Sequence, residues 1–166
     1  MPKASQPPLT DSELSAVRLA IEARRNLPGA LLPILHAIQD QLGWVPAEAV
    51  ALIAEALNQS RAEIHGVISF YHHFRTVPPG SVVVQVCRAE SCQARGGVAL
   101  EVHAKRSLGV DWHETTADGA VTLEPVYCLG NCACSPSIRV GNEILGRVSC
   151  GRFDTLIAGL RQKETA

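Results

Sequence analysis

The chain has 166 residues, 46% of them apolar, which is enough for one medium domain or two small ones, each with a core of its own. Its formal net charge is −1, and no basic stripe with interleaved aromatics runs through it, which argues against nucleic acid or anionic lipid as a partner. No apolar run approaches the roughly 20 residues of a spanning helix. The opening MPKASQPPLT has one lysine, two adjacent prolines and no apolar stretch, so residues 1–10 read as a disordered tail and not as a secretory signal. Arg24 and Arg25 fall inside a helical pattern with no apolar stretch after them, so they do not mark an export signal either. Together these features predict a soluble cytoplasmic protein.

The first part of the chain reads as helices. Thr10 to Glu13 has the form of a capping box, in which the threonine side chain accepts from a free N–H and the glutamate reaches back. Leu14, Val17 and Ile21 follow at helical spacing, and Pro28-Gly29 breaks the chain. Leu31, Leu35, Ile38 and Leu42 form a second apolar stripe. GWVP, Gly43 to Pro46, ends it, and Pro46 suits the first turn of a third helix carrying Val50, Ile53, Ala54 and Leu57. Ser60 to Glu63 is a second capping box, opening a fourth helix with Ile64, Val67, Ile68 and Tyr71. Short amphipathic helices of this kind bury their faces on one another, so residues 11–76 predict a small helical bundle.

VPPGS, Val77 to Ser81, divides the chain, and the pattern changes after it. SVVVQVC is a short, continuous, β-branched run and predicts a buried strand. Gly96-Gly97 leads into a helix with Val98, Val102 and Leu108. VDWHETT and AVTLEPVYC read as strands divided by the turn Ala117-Asp118-Gly119. SIRVGNEILGRV is a hairpin candidate around Gly141-Asn142, and Phe153, Leu156, Ile157 and Leu160 make a closing helix. The order β-α-β-β-β-α predicts a small sheet with helices packed on it over residues 81–166, and an α+β chain as a whole.

Six cysteines stand at 87, 92, 128, 132, 134 and 150, all beyond the helical half. In a reducing compartment, clustered cysteines are more often metal ligands or catalytic groups than disulfides. Cys87 and Cys92 form C-x4-C directly after the first strand; Cys128 and Cys132 form C-x3-C directly after a later one. If those strands are neighbours in the sheet, four thiolates on two loops share one edge and can enclose one centre. C-x4-C is at the wide end of zinc spacing, and the C-x-x-C of thioredoxin-type redox sites is absent. A [2Fe–2S] cluster is broader than one zinc ion and takes four thiolates at wider spacing. Spacing therefore ranks iron–sulfur above zinc, with a disulfide or simple burial as the remaining readings. Gly130, inside the second pair, would let backbone N–H groups approach the sulfurs.

ILHAIQDQLGWVPAEAVALIAEAL, HGVISFYHHF, C-x4-C, TLEPVYCLGNC and SP, in that order, resemble the thioredoxin-like [2Fe–2S] ferredoxin family from about Leu14 to Leu160. That family includes the small flavoprotein-side subunit of respiratory complex I and the equivalent subunits of NAD-reducing hydrogenases and NAD-dependent formate dehydrogenases. Within it, CRAESCQARGG and CLGNCACSP look most like the gamma subunit of soluble molybdenum- or tungsten-dependent formate dehydrogenases. The resemblance implies cluster ligands at Cys87, Cys92, Cys128 and Cys132, and a thioredoxin-like α/β domain with a mixed sheet after the helical bundle. It implies a one-electron carrier whose partner binds FMN and NAD and holds further iron–sulfur clusters, with a molybdopterin formate dehydrogenase subunit completing the assembly. Complex I or an NAD-reducing hydrogenase is the alternative parent. A zinc-stabilised interaction module and a thiol–disulfide enzyme are the readings from other classes.

The remaining signals are weaker. No Gly-rich phosphate loop follows a strand, no Ser-His-Asp arrangement is legible, and the chain shows no flavin or nicotinamide site and no catalytic residue of its own. Cys134 and Cys150 fall outside the ligand pattern and read as small buried residues. Arg88 and Arg95 flank the first cysteine pair, and a cation at Arg88 would favour a reduced, more negative cluster. His72 and His73, adjacent on an expected helix, point in different directions and make a poor chelating pair. Phe70, Tyr71 and Phe74 gather three of the chain's seven aromatics, either as core or as a surface for a partner protein.

Overall fold

Side-chain caps set where the first and fourth helices begin. The computed structural model describes residues 9–164, and residues 1–8 of the expected tail lie outside them. Thr10 Oγ1 accepts from the Glu13 N–H (3.3 Å) while the Glu13 carboxylate accepts from the Thr10 N–H (2.8 Å), and α1 runs Asp11–Glu22 from there. Ser60 and Glu63 repeat the arrangement (3.2 and 2.7 Å) at the head of α4, Arg61–Phe70. Each box satisfies N–H groups that a helix start otherwise leaves unpaired. Between them lie α2, Leu31–Leu42, and α3, Ala47–Leu57. Gly43, at φ 82°, closes α2. Pro46 is the cap of α3, one position ahead of the first turn, and Arg24 and Arg25 lie in the turn that follows α1.

The chain divides into two units, Met1–Pro78 and Pro79–Ala166. The first has a core of Val17, Ile34, Leu35, Ile38, Ile53 and Ile64, all fully buried. One buried polar residue, Gln39, holds the segment after α4: its Nε2 donates to His73 O (2.8 Å) and its Oε1 accepts from the Arg75 N–H (2.7 Å). Both ends of the amide are thus satisfied, as a buried amide requires. Helix α4 stops at Phe70, and Tyr71 caps it in extended backbone instead of continuing it. His72 and His73 therefore sit on an exposed turn, not on a helix. The aromatic trio splits: Phe74 belongs to the core, while Phe70 and Tyr71 are exposed.

The second unit is a five-stranded mixed sheet with helices. Strands β1 (Val82–Cys87), β2 (Glu114–Thr115), β3 (Val121–Val126), β4 (Ile138–Val140) and β5 (Glu143–Leu145) lie in the order β2-β3-β1-β4-β5. β1 pairs with β3 in parallel, and every other pair is antiparallel. The parallel pair needs a crossover, which a single helical turn α5 (Glu90–Cys92) and helix α6 (Val98–Leu108) supply. Helix α7 (Cys150–Glu164) closes the unit. The central position of β1 explains why its run is apolar apart from Gln85, since a strand covered on both faces does not alternate. Val84, Val86, Leu100, Leu123, Ile138 and Phe153 form the core.

Two details depart from the sequence pattern, and the expected hairpin follows it. Helix α6 buries Leu100, Ala104 and Leu108, while Val98 and Val102 face outward. Only two residues of VDWHETT pair as a strand, because Asp111 folds the segment into a turn: its carboxylate accepts from the Trp112 N–H, its own N–H donates to Glu114, and His113 takes φ 63°. Both arms of the hairpin enter the sheet across a two-residue loop, whose first residue, Gly141, has the positive φ (55°) that such loops demand. Among the described residues, no helix is long and apolar enough to cross a membrane.

Between α5 and α6 the chain kinks through Gln93–Gly97, where Arg95 (φ −106°, ψ 21°) and Gly96 (φ 97°) leave helical geometry. Gly97 packs directly on the preceding turn: a Cβ there would lie 2.6 Å from the Cys92 carbonyl oxygen. Gly97→Ala is therefore expected to cost about 1–3 kcal/mol in urea unfolding, the range for overpacking a close contact. Ser60→Ala, which removes one capping box, is expected to cost about 1 kcal/mol. Glu63 is held below the usual glutamate range by hydrogen bonds from Ser60. Its contribution is present above its unfolded pKa and fades as pH falls through the folded one. The gap between Ser60→Ala and the unaltered chain should accordingly narrow on acidification.

Candidate metal centre

Cys87 is the last residue of β1 and lies opposite Val126, the last residue of β3. The loops leaving these parallel strands start at the same edge, and each carries two of the four expected ligands. The Cys87 N–H donates to Ser137 O (3.1 Å) and the Arg88 N–H to Val126 O (2.7 Å), so backbone bonds fix the start of the first loop from both sides. Cys92 closes the turn α5, and its side chain is buried like that of Cys87. Cys128 and Cys132 are exposed, with their sulfurs 3.9 Å apart.

The second loop is shaped by unusual backbone angles. Cys128 takes φ 135°, a region that residues with side chains rarely adopt. Gly130 has φ 73°, and its N–H donates to Cys128 Sγ (3.3 Å). A Cβ at Gly130 would meet nothing within 4 Å. The backbone angle, not crowding, is what calls for glycine there. The expectation that its N–H turns toward a sulfur holds.

The two loops are tied to one another by hydroxyl groups that the sequence pattern did not single out. Ser91 Oγ donates to Cys132 O (3.1 Å), and Ser135 Oγ reaches the same carbonyl (2.8 Å). The two hydroxyls lie 2.9 Å apart, and Ser135 Oγ is also 3.5 Å from Cys92 Sγ. Asn131 and Ser137 continue the network, with Asn131 Nδ2 donating to Ser137 Oγ (3.3 Å). In the sequence these are ordinary small polar residues of a loop. Only SP, in the resemblance, touched the network.

The sulfurs influence one another. Burial pushes the Cys87 thiol up, and the neighbouring Cys92 adds to this, against backbone N–H groups of Ala89 and Leu129. Burial would also raise Cys92, but the Ser135 hydroxyl, the Cys87 thiol and the backbone and hydroxyl of Ser137 together hold it below its ordinary value. Cys132 is raised, first by Cys128 and more weakly by the charge of Cys92, which links the two halves. Each half pairs two sulfurs. Among the described residues, no group of three or more Cys, His, Asp or Glu side chains is drawn together tightly enough to hold a single metal ion.

The other flagged residues have plainer roles. Cys134 packs against the backbone of Gly146, where a Cβ would come within 2.5 Å of the Cys134 Cβ. Cys150 opens α7 with its sulfur 4.0 Å from Ala99 O. Arg88 is not a free cation beside the cysteines: its Nε binds Glu101 (2.9 Å), its Nη1 reaches the Tyr127 hydroxyl (3.4 Å), and it lies over the Trp112 ring (5.6 Å). Glu101 matches its charge. Arg95 is exposed on the kinked turn.

The chain as a whole has known relatives. The thioredoxin-like [2Fe-2S] ferredoxin family matches residues 17–161. NADH-quinone oxidoreductase subunit 2 of Thermus thermophilus is 36% identical over 141 residues, covering 84% of this chain and 76% of that protein. NADP-reducing hydrogenase subunit HndA of Solidesulfovibrio fructosivorans is 32% identical over 139 residues, 83% of this chain and 81% of its own. A further NADH-quinone oxidoreductase subunit, from Rhizobium meliloti, is 34% identical over 152 residues, 92% of this chain and 89% of its own. A solved NAD+-reducing [NiFe]-hydrogenase in the air-oxidized state superposes with a TM-score of 0.68 at 27% identity over 86% of this chain. The chain spans only 24% of that longer hydrogenase chain. With four cysteines on two loops at one sheet edge and a match across most of its length, this chain belongs to the thioredoxin-like [2Fe-2S] ferredoxin family.

Proposed function

We propose that this chain is the one-electron carrier of a multisubunit NAD-linked oxidoreductase, with one [2Fe–2S] cluster held by Cys87, Cys92, Cys128 and Cys132. The observation that carries the reading is the donor set: two pairs of thiols, each on its own loop, delivered to one sheet edge by parallel strands. Such a set suits a centre of two irons, each taking one pair. When bound, the cluster supplies reversible one-electron chemistry without proton transfer.

The chain's own residues do the rest. Cys87 and Cys92 form a buried half shielded from water, and Cys128 and Cys132 an exposed half beside Tyr127, which is 63% exposed. The Gly130 N–H, aimed at Cys128, offsets negative charge on that sulfur. The exposed half is the side from which an electron partner is served. By resemblance that partner binds FMN and NAD and carries further iron–sulfur clusters. CRAESCQARGG and CLGNCACSP favour a soluble, cytoplasmic formate dehydrogenase with a molybdopterin subunit as the parent assembly. NADH-quinone oxidoreductase or an NAD-linked hydrogenase is the second reading, favoured by the names of the relatives.

Anaerobically purified protein is expected to contain about two irons and two sulfides per chain. Alanine at any of Cys87, Cys92, Cys128 or Cys132 should abolish the visible absorption and the paramagnetic signal of the reduced state. Alanine at Cys134 or Cys150 should leave both in place. Zinc without sulfide would defeat the reading in favour of an interaction module. Affinity purification from the native host identifies the parent assembly: formate dehydrogenase subunits should co-purify, and recovery of NADH-quinone oxidoreductase subunits instead would overturn that choice.

A further inference from the structure

We propose that the Ser135 hydroxyl is a redox-tuning donor to the Cys92 sulfur, released for that role by Ser91. The proposal rests on Cys92 being an iron ligand. Ser135 Oγ lies 3.5 Å from Cys92 Sγ, 2.8 Å from Cys132 O and 2.9 Å from Ser91 Oγ, and Ser91 Oγ lies 3.1 Å from the same carbonyl. While Cys92 is a thiol, its S–H donates to Ser135 Oγ, and the single Ser135 proton serves Cys132 O. A cysteine bound to iron has no proton and can only accept. Ser135 then has one proton and three acceptors within reach, the sulfur, the carbonyl and Ser91 Oγ.

Ser91 resolves the conflict. Its hydroxyl reaches Cys132 O, so that carbonyl stays satisfied when the Ser135 proton turns to the sulfur. The change is a rotation of one O–H, with no bond made or broken. Ser135 is 8% exposed and Cys92 2%, so both groups are largely shielded from water. A hydrogen bond to a charged acceptor is strong in such surroundings. One-electron reduction adds negative charge and no proton, so a donor on the sulfur favours the reduced state. Ser135 positions and tunes. It is not itself a ligand.

The test uses the full chain, purified anaerobically, with iron and sulfide measured for every variant. Each is titrated with dithionite in the presence of mediators and followed by its paramagnetic signal. Ser135→Ala should shift the balance toward the oxidised form by about three- to tenfold. Tenfold corresponds to about 59 mV for a one-electron couple. Ser135→Thr, which keeps the hydroxyl, should restore the original potential. Ser91→Ala returns Cys132 O to Ser135 as a competitor and should shift the potential the same way by a smaller factor. A full cluster with an unmoved potential in Ser135→Ala, or equal shifts in Ser135→Ala and Ser135→Thr, would overturn the proposal and leave the cluster assignment standing. Should Ser135→Ala not retain iron and sulfide, Ser91→Ala decides: a lowered potential supports the proposal and an unmoved one overturns it. Unaltered protein without iron and sulfide would overturn the cluster assignment itself, and this proposal with it.

Discussion

The parallel pairing of β1 with β3 is the constraint on which the candidate centre depends. A hairpin would return the chain to the edge it had just left, and the two cysteine pairs would part. Parallel strands end at the same edge, so Cys87 and the loop after Val126 leave the sheet side by side. The crossover that parallel pairing requires then does a second task, because its first turn carries Cys92. Gly97 lets the crossover helix start close behind that turn by bringing its backbone onto the Cys92 carbonyl. Fold and site are thus one problem: the residues that close the sheet also set the spacing of the sulfurs.

The two halves of the site live in different surroundings. Cys87 and Cys92 are surrounded by protein, and their charge is met by backbone N–H groups and hydroxyls. Cys128 and Cys132 face outward on a loop held by backbone angles that few residues accept. Such an arrangement combines a rigid, water-free anchor with an open side. Charge added to a centre held there would be felt by fixed dipoles on one side and by solvent or a partner on the other. Arg88, the cation nearest in sequence, is tied to Glu101 and the aromatic rings. Neutral dipoles of the loops, the Gly130 N–H and the Ser135 hydroxyl, lie directly against the sulfurs.

Much of this was legible in the sequence where one local rule decides the outcome. Both capping boxes, the buried strand SVVVQVC and the Gly141-Asn142 hairpin each rest on chemistry within a few residues. The four candidate ligands were legible because two spaced pairs follow two strands. What was not legible depended on tertiary context. The valines of α6 look like its core face, yet Leu100, Ala104 and Leu108 are buried, because the sheet selects the face. The tryptophan of VDWHETT looks like a strand residue until Asp111 takes up its N–H. Ser91 and Ser135 gain importance only when two loops meet, and Gln39 only when the chain after α4 returns to α2.

The sheet ends on one side in β2, with two residues, and on the other in β5, with three. An edge strand offers unpaired N–H and C=O groups to any passing chain, and the hazard grows with its length. Here a foreign strand would find a ledge too short to hold, with Glu143 charged and exposed on one of the two edges. Association with other proteins is thereby pushed away from indiscriminate backbone zippering and onto side-chain surfaces, where shape and charge discriminate between neighbours.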